Sequence, residues 1–405
     1  MLPNFDLDAF ISQHVTKRTN SLFAEDLKDS EKELFAKIKG KSALVIGGAG
    51  TIGSSFIKAL LRYNPGKVIV IDINENGLTE LVRSCRSTAG LSVPDNFKTY
   101  PISFDDPVFV KIFRKEGPFD IVANFAAHKH VRSEKDIFSI EALINNNVIK
   151  AKKLLDLLLQ QPPSHFFCVS TDKAANPVNI MGASKKLMEE VILSYADSIP
   201  VATARFANVA FSNGSLPAGF LERLAQRQPL SSPNDVRRYF VSPRESGEIC
   251  LMACILGESG DIFFPKLDEK DMILFSDVAL SLLESLGLKA RVCGAEEEAR
   301  EWATAFKAGK TMEYPVLLFP SNTSGEKLYE EFYTPGEEIK LDAFRELGII
   351  KNSVRRSRNE FDKIIGDIES LFRGDTTKET VVGFLKNIMP NFSHIETGLN
   401  LDQKM

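Results

Sequence analysis

Short apolar runs alternate in the first half of the chain with longer segments of helical spacing. Ser42-Ala43-Leu44-Val45-Ile46, Lys67-Val68-Ile69-Val70-Ile71 and Phe119 to Ala127 are nearly uniform in apolar character. Each predicts a strand covered on both faces, as in a parallel sheet. Phe166 to Ser170, bounded upstream by Pro162-Pro163, predicts another, and Tyr100-Pro101-Ile102-Ser103-Phe104 is strand-like. Between these runs, apolar residues recur every three or four positions. Phe56, Ile57, Leu60 and Leu61 make one such set, Ile144, Val148, Leu154, Leu155 and Leu158 a second, and Leu187, Val191 and Ile192 a third. Strands alternating with helices predict an α/β, doubly wound parallel sheet.

The pattern also divides the chain. Residues 1–40 are polar with helical periodicity (Leu27, Leu34, Phe35, Ile38) and predict a helical arm covering the main domain or a partner subunit. The alternation occupies 41–210. It loosens over 211–347, which predicts a smaller lobe with segments returning to the main domain, Gly247 to Leu256 among them. Residues 348–405 predict a helical tail. Arg358 to Arg373 carries Phe361, Ile364, Ile365, Ile368, Leu371 and Phe372 at amphipathic spacing, and Thr380 to Met389 forms a second helix.

The first strand runs into Gly47-Gly48-Ala49-Gly50-Thr51-Ile52-Gly53 and then a helix. Glycines in a strand–turn–helix unit allow a tight turn and close backbone approach to a pyrophosphate, which the helix N-terminus attracts. The second strand ends in Asp72, and 72 − 53 = 19 residues separate it from the last glycine. An acid there hydrogen-bonds the adenosine ribose 2′-hydroxyl. Ile73 and Asn74 follow, with no arginine for a 2′-phosphate. Gly47, Gly50, Thr51, Ile52, Gly53 and Asp72 therefore predict an NAD site in a Rossmann domain over 41–210. The small residues Ala126 and Ala127, at the end of the fourth strand, let the backbone approach the same dinucleotide.

His128-Lys129-His130 then enters a loop beside cofactor and substrate; no third ligand lies nearby to make it a metal site. Asn147 sits inside a helical pattern that disfavours asparagine, which suggests a polar role. At the end of the fifth strand a hydroxyl, a carboxylate and an amine stand side by side, at Thr171, Asp172 and Lys173. In an open α/β sheet that end is where ligands bind. Met181 and Lys185 follow, four apart on one face of the next helix.

The glycine turn, Asp72, Ala126-Ala127, Asn147 and Lys185 together resemble extended short-chain dehydrogenase/reductases acting on nucleotide sugars. Ser170-Thr171-Asp172-Lys173, Asn176-Pro177 and Met181-Gly182-Ala183-Ser184-Lys185 resemble a narrower branch, the UDP-N-acetylglucosamine 4,6-dehydratases of the polysaccharide-biosynthesis type. Lys129-His130-Val131, Arg205 to Val209, Arg238 to Ser242, Ile262 to Lys266, and Gly325-Glu326-Lys327 with Glu330-Glu331 agree with that branch. The likeness runs from about Lys41 to Phe332.

The resemblance implies a bound NAD that takes a hydride from sugar C4 and returns it to C6, while water is lost across C5 and C6. It implies Asp172 as the acid for the 6-hydroxyl and Lys173 as the base for the C5 hydrogen. Thr171 would hydrogen-bond the 4-oxygen, and Lys185 would hold the nicotinamide ribose. A basic role for Lys173 requires burial or nearby positive charge to lower its pKa. Lys129, His130, Asn208, Arg238 and Lys266 are the positions for sugar-nucleotide contacts; an arginine suits a diphosphate by its planar fork. Two departures stand out. Met181 occupies the place of the usual tyrosine, as in members of the C5-retaining type, and gives shape without a proton. Asn322-Thr323-Ser324 and Tyr329 flank Gly-Glu-Lys where the family usually has Arg and His, which leaves the nucleotide base open. Other readings are a 4- or 5-epimerase, which has no need of the Asp-Lys pair, and a catalytically silent NAD-binding scaffold.

Composition narrows the setting. Of 405 residues, 43% are hydrophobic and 26% charged, ordinary for a globular protein. The net charge of −4 offers no basic surface for nucleic acid. Five scattered cysteines (Cys85, Cys168, Cys250, Cys254, Cys293) suggest reduced thiols and a cytoplasmic protein, and the Cys250/Cys254 pair is a poor metal site. The absence of a long apolar run predicts no membrane span, and Met1 to Asp6 do not resemble a signal peptide. The arm and tail suggest a homodimer or larger closed oligomer.

Overall fold

A computed structural model of the chain describes residues 5–396, save 322–324, 326, 328 and 354. Its strands, in chain order, are β1 (Ser42–Ile46), β2 (Lys67–Asp72), β3 (Asn96–Pro101), β4 (Ile121–Asn124), β5 (His165–Val169), β6 (Val201–Ala204), β7 (Asn208–Val209), β8 (Leu230–Pro233), β9 (Arg237–Val241), β10 (Asp261–Pro265), β11 (Met272–Leu274), β12 (Lys289–Cys293), β13 (Glu313–Phe319), β14 (Glu338–Lys340) and β15 (Leu347–Lys351). The main sheet has the order β14-β15-β10-β6-β5-β4-β1-β2-β3. From β3 to β10 every pairing is parallel; β15 and then β14 add antiparallel at the far edge. The chain winds outward from β1 to β3 and then, from β4, in the opposite direction. The crevice at the carboxyl ends of β1 and β4 is thus the switch point where such sheets bind ligands.

Alternation along β1 sends Ala43 and Val45 to one face and Leu44 and Ile46 to the other, all fully buried. The first face is covered by the Thr51–Leu61 and Pro243–Leu256 helices, with Cys250 and Cys254 packed in that core. The second is covered by the Lys150–Leu158 and Ile180–Leu193 helices. Arg358–Arg373 and Lys378–Ile388 pack outside these through Phe361, Ile368, Val381 and Leu385. The N-terminal arm covers this chain's own core. Phe23, Leu34 and Ile38 are fully buried against the first face. Complete burial of each such side chain is worth about 1.5–3 kcal/mol, which makes the arm part of the fold. Further forward, Phe10, Ile11 and Val15 join the core of the smaller lobe. Arg18 fixes the crossing between them, with Nε and Nη2 each donating to Glu245 at 3.0 Å.

The smaller lobe holds two three-stranded sheets, β12-β13-β8 and β11-β9-β7. Strands β10, β14 and β15 and the Pro243–Leu256 helix return to the main domain. Two expectations shift. The third strand is Asn96–Pro101, four residues before the strand-like run at Tyr100. Phe97 supplies its buried contact, and Pro101 ends an edge strand where no ladder donor is needed. The tail is not helical from its start: Leu347–Lys351 is a strand that runs antiparallel to β10, as its paired isoleucines favour.

Candidate active site

The glycine turn lies at the carboxyl end of β1. Gly47 has φ +75°, and a Cβ there would stand 2.5 Å from the Ala126 nitrogen. A Cβ on Gly53 would meet the Gly47 carbonyl oxygen at 2.3 Å. No side chain fits at either position, so the turn brings bare backbone to the crevice. Gly50 caps the Thr51–Leu61 helix, and the first intrahelical bond is Ser54 N to Gly50 O at 2.9 Å. The N–H groups of Thr51, Ile52 and Gly53 therefore precede the helix ladder and suit a phosphate. Asp72 steadies the turn by accepting from Ala49 N and Asn74 N, each at 2.9 Å. Exposed Ile73 follows it. Ala126 and Ala127 are half-buried beside Gly47, and Ala126 N donates to Asn124 Oδ1 at 3.0 Å. A dinucleotide fits this cradle.

Asn147 explains why the next loop holds its course. Almost fully buried in a wide helical turn, it accepts from His128 N and donates to His128 O, both at 2.9 Å. Its Nδ2 also donates to Ser184 Oγ at 3.0 Å, which ties the loop to the helix carrying Met181 and Lys185. Lys129 Nζ donates to Asn213 O at 2.8 Å, and the His130 ring lies against Gly214. Asn213 N in turn donates to Thr51 Oγ1 at 3.0 Å. Lys129 and His130 thus meet the 211–215 loop above the glycine turn. The half-buried His130 imidazole is pushed below its ordinary pKa by burial, with Lys129 and Arg132 adding to it.

Ser170 follows the end of β5, and a short turn over Asp172–Ala174 comes next. Asp172, 2% exposed, gathers three donors on Oδ1: Thr171 Oγ1 at 2.7 Å, Lys173 N at 2.9 Å and Lys173 Nζ at 3.1 Å. Its other oxygen, Oδ2, is buried without a hydrogen-bond partner. A buried acceptor left unmade costs about 1–3 kcal/mol, and a ligand hydroxyl would satisfy it. Lys173 Nζ also lies 3.4 Å from Glu330 Oε1. Arg238 approaches the same Glu330 oxygen at 4.0 Å, so the structure brings Arg238 to the Asp172–Lys173 turn. The lowered pKa expected for Lys173 is not found. Burial lowers it, but Asp172 and Glu330 together outweigh burial and raise it above the ordinary lysine value.

Lys185 is buried, donates to Val169 O at 2.7 Å, and is pushed by burial toward the neutral form. Met181 is buried in the apolar cluster of that side, with its carbonyl accepting from Ser184 Oγ. Asn208, in β7, has a buried Nδ2 without a partner. Lys266 is not brought to the cluster. Its Nζ donates to the carbonyls of Leu341, Phe344 and Arg345 and holds that loop instead. Asn322, Thr323, Ser324 and Glu326 lie outside the described residues, and Tyr329 is exposed.

One group beneath the site had no assigned role in the sequence. Glu189 and Arg205 are both fully buried; Arg205 Nε and Nη2 donate to Glu189 at 2.9 Å, and Ser170 Oγ donates to Glu189 Oε1 at 2.5 Å. Arg205 also holds Glu337 and Phe332 O, in the stretch that follows Glu330. Glu189 lies four residues after Lys185 on the same helix face, and Arg205 is a lone charge at the end of the apolar β6. Those two signals could have found the pair. Among the described residues no cluster of His, Cys, Asp or Glu could hold a metal ion, and no helix is long and apolar enough to cross a membrane.

The chain is similar to an uncharacterised membrane protein of Methanocaldococcus jannaschii, 30% identical over 319 residues, covering 77% of this chain and 86% of that one. It is similar to the UDP-N-acetylglucosamine 4,6-dehydratase (inverting) of Campylobacter jejuni, 27% identical over 312 residues, covering 75% and 84%. Other curated relatives are longer, and the chain spans about half their length (55% and 48%). Among solved structures, Pen from Bacillus thuringiensis shares the fold over 82% of this chain and 98% of its own, with a TM-score of 0.61 at 20% identity. So does the UDP-glucuronic acid 4-epimerase of Bacillus cereus, solved with UDP-glucuronic acid and NAD, over 72% and 89%, with a TM-score of 0.51 at 18% identity. The model of the polysaccharide biosynthesis protein family matches residues 43–352, from β1 past β15 and through every element of the site, and the chain belongs to that family.

Proposed function

We propose that this chain is an NAD-dependent 4,6-dehydratase of a nucleoside-diphosphate N-acetylhexosamine such as UDP-N-acetylglucosamine. The product is a 4-keto-6-deoxy sugar nucleotide for glycan or nonulosonate synthesis. The observation that carries the reading is the Thr171–Asp172–Lys173 turn at the carboxyl end of β5, with Asp172 Oδ2 buried and unpartnered. An epimerase leaves the 6-hydroxyl in place and has no use for a carboxylate and an amine together there.

The residues divide the work. The glycine turn and the N–H groups of Thr51, Ile52 and Gly53 hold the pyrophosphate, and Asp72 takes the adenosine ribose. Asp72 without a following arginine favours NAD over NADP. NAD, when bound, supplies the hydride acceptor and donor at sugar C4 and C6. Lys185 holds the nicotinamide ribose from its buried seat under β5. Thr171 steadies the 4-oxygen, and its hydroxyl relays that proton toward Asp172, to which it is already bonded at 2.7 Å. Met181 shapes the wall where a tyrosine would otherwise stand. Once C4 is a ketone, the C5 hydrogen is acidic. Lys173 removes it while Asp172 protonates the departing 6-hydroxyl; positioned groups of this kind contribute roughly 10²–10⁴-fold each. Arg238 and Asn208 face the sugar nucleotide.

Incubation with UDP-N-acetylglucosamine and NAD, read by mass, tests the assignment. The expected product has lost one water. An isomer of unchanged mass would make the protein an epimerase, and no conversion of any hexosamine nucleotide would leave it a binding scaffold.

A further inference from the structure

Glu330 has no part in the mechanism above, yet it touches the centre of it. Its carboxylate, 4% exposed, reaches the catalytic turn from the far side of the chain, with Oε1 3.4 Å from Lys173 Nζ and 4.0 Å from Arg238 Nη2. The backbone that presents it is anchored. Arg205 donates to Phe332 O at 3.1 Å and to both carboxylate oxygens of Glu337, and Thr334 N donates to Glu337 at 2.8 Å. Asp172 faces Nζ on the other flank at 3.1 Å. Lys173 therefore sits between two carboxylates, with Arg238 beside one of them and Lys327 the next charge felt by Glu330. The four central groups balance, two positive and two negative.

A lysine so placed rests as an ammonium, and an ammonium cannot take a hydrogen from carbon. The two carboxylates are not equivalent acceptors for its surplus proton. Asp172 Oδ1 already takes three donors, and its Oδ2 is reserved, on the dehydratase reading, for the leaving hydroxyl. Burial pushes the Glu330 carboxyl above its ordinary range, with the negative Asp172 adding to it, although Lys173 and Arg238 oppose the shift. We infer that Glu330 is a positioning residue that aims the Lys173 side chain and accepts its surplus proton, which frees the amine to act as the base. One N–H bond of the ammonium breaks, one O–H bond forms on Glu330, and the charge of the cluster is unchanged. The inference rests on the dehydratase reading.

The consequence is a pH profile. With Glu330 present, the neutral amine arises by internal transfer, so its population does not change with pH through the neutral range. With Glu330→Gln, the proton must leave to solvent, and the neutral amine grows about tenfold per pH unit up to the Lys173 pKa. The experiment follows kcat/KM for water loss from UDP-N-acetylglucosamine between about pH 6 and 9 for the wild type, E330Q and E330D, after thermal unfolding has shown each variant to be folded. The wild type should be flat. E330Q should be at least about tenfold slower at neutral pH and climb with a slope near one. E330D, which keeps the carboxylate, should recover the flat shape at reduced rate. An E330Q profile parallel to the wild type overturns the inference and leaves the dehydratase reading standing. A wild type that loses no water overturns both.

Discussion

Arg205 and Glu189 form a two-pronged ion pair at 2.9 Å on each prong, and neither side chain reaches solvent. The pair joins the end of β6 to the helix that carries Lys185, and through Ser170 to the end of β5. The same guanidinium grips Glu337 at 2.9 and 2.8 Å. It is therefore the post on which the Thr171–Lys173 turn and the Glu330 stretch are hung together. Charges withdrawn from water this far are stable only while paired. Burial alone would raise the Glu189 carboxyl, but Arg205 with Lys186 and Ser170 outweighs it and holds Glu189 below the usual range.

Arg205→Met should therefore lower the unfolding free energy by about 3–5 kcal/mol at neutral pH, because it takes the principal partner from two carboxylates and leaves them only the more distant Lys186. The pH dependence follows from the signs. In the wild type Glu189 has a depressed folded pKa, so its contribution is present above the unfolded value and is lost as pH falls through the folded one. In the variant Glu189 keeps only Lys186, at 3.7 Å, and the Ser170 hydroxyl against full burial, so protonation costs the fold less than in the wild type. The gap between the two proteins, measured by denaturant titration, should narrow as pH falls below the ordinary carboxylate range. A gap that stays constant into acid would sink the account.

The parts of this site legible in the sequence are those whose signal is local. The glycine turn and Asp72 occupy one strand–turn–helix unit, and Thr171, Asp172 and Lys173 turn polar at once where β5 stops. Asn147 stood out because asparagine opposes the helix around it. Glu330 entered only as part of the family likeness, without a role, and Glu337 was silent, for the opposite reason. Their partners lie far away in sequence, Arg205 being 132 residues from Glu337, and only the return of β14 and β15 to the sheet brings them together. The bonds of Lys266 were hidden for the same reason. At the end of β10 it stands where ligand contacts are made, but the 341–345 loop folds over it.

Asn147→Leu should cost about 1–3 kcal/mol, since it unpairs the part-buried N–H and C=O of His128. The loop freed in this way borders the crevice between β1 and β4, so NAD affinity should fall as well. Thermal unfolding and calorimetric titration with NAD measure the two effects. Full NAD affinity in a destabilised variant would confine Asn147 to the fold.

Lys266→Met retains most of the side-chain stem and deletes the ammonium that holds three carbonyls. Loss of stability by about 1.5–3 kcal/mol is expected, the range for hydrogen bonds to a charged group. KM for the sugar nucleotide should stay near the wild-type value. A KM raised severalfold with stability unchanged would return Lys266 to the substrate.

Asp172, Lys173 and Met181 test the chemistry itself. On the dehydratase reading Lys173→Ala removes the proposed base but leaves the C4 oxidation machinery intact, so a 4-keto sugar that retains its 6-hydroxyl should build up on the enzyme. Asp172→Asn should stall at the same place, because an amide cannot protonate the leaving oxygen. Each should lose on the order of 10²-fold or more in turnover. The double variant should be little worse than either single one, because groups that act in one step are not additive. Met181→Leu should be far milder, since a buried apolar side chain is exchanged for one of similar volume and no proton is at stake. Deuterium placed at sugar C5 gives an independent reading. It should wash out to solvent as water leaves in the wild type, and in Lys173→Ala it should stay. A product that keeps deuterium at C5 would refute abstraction by Lys173, and Met181→Leu as damaging as Lys173→Ala would move the proton chemistry to the helix.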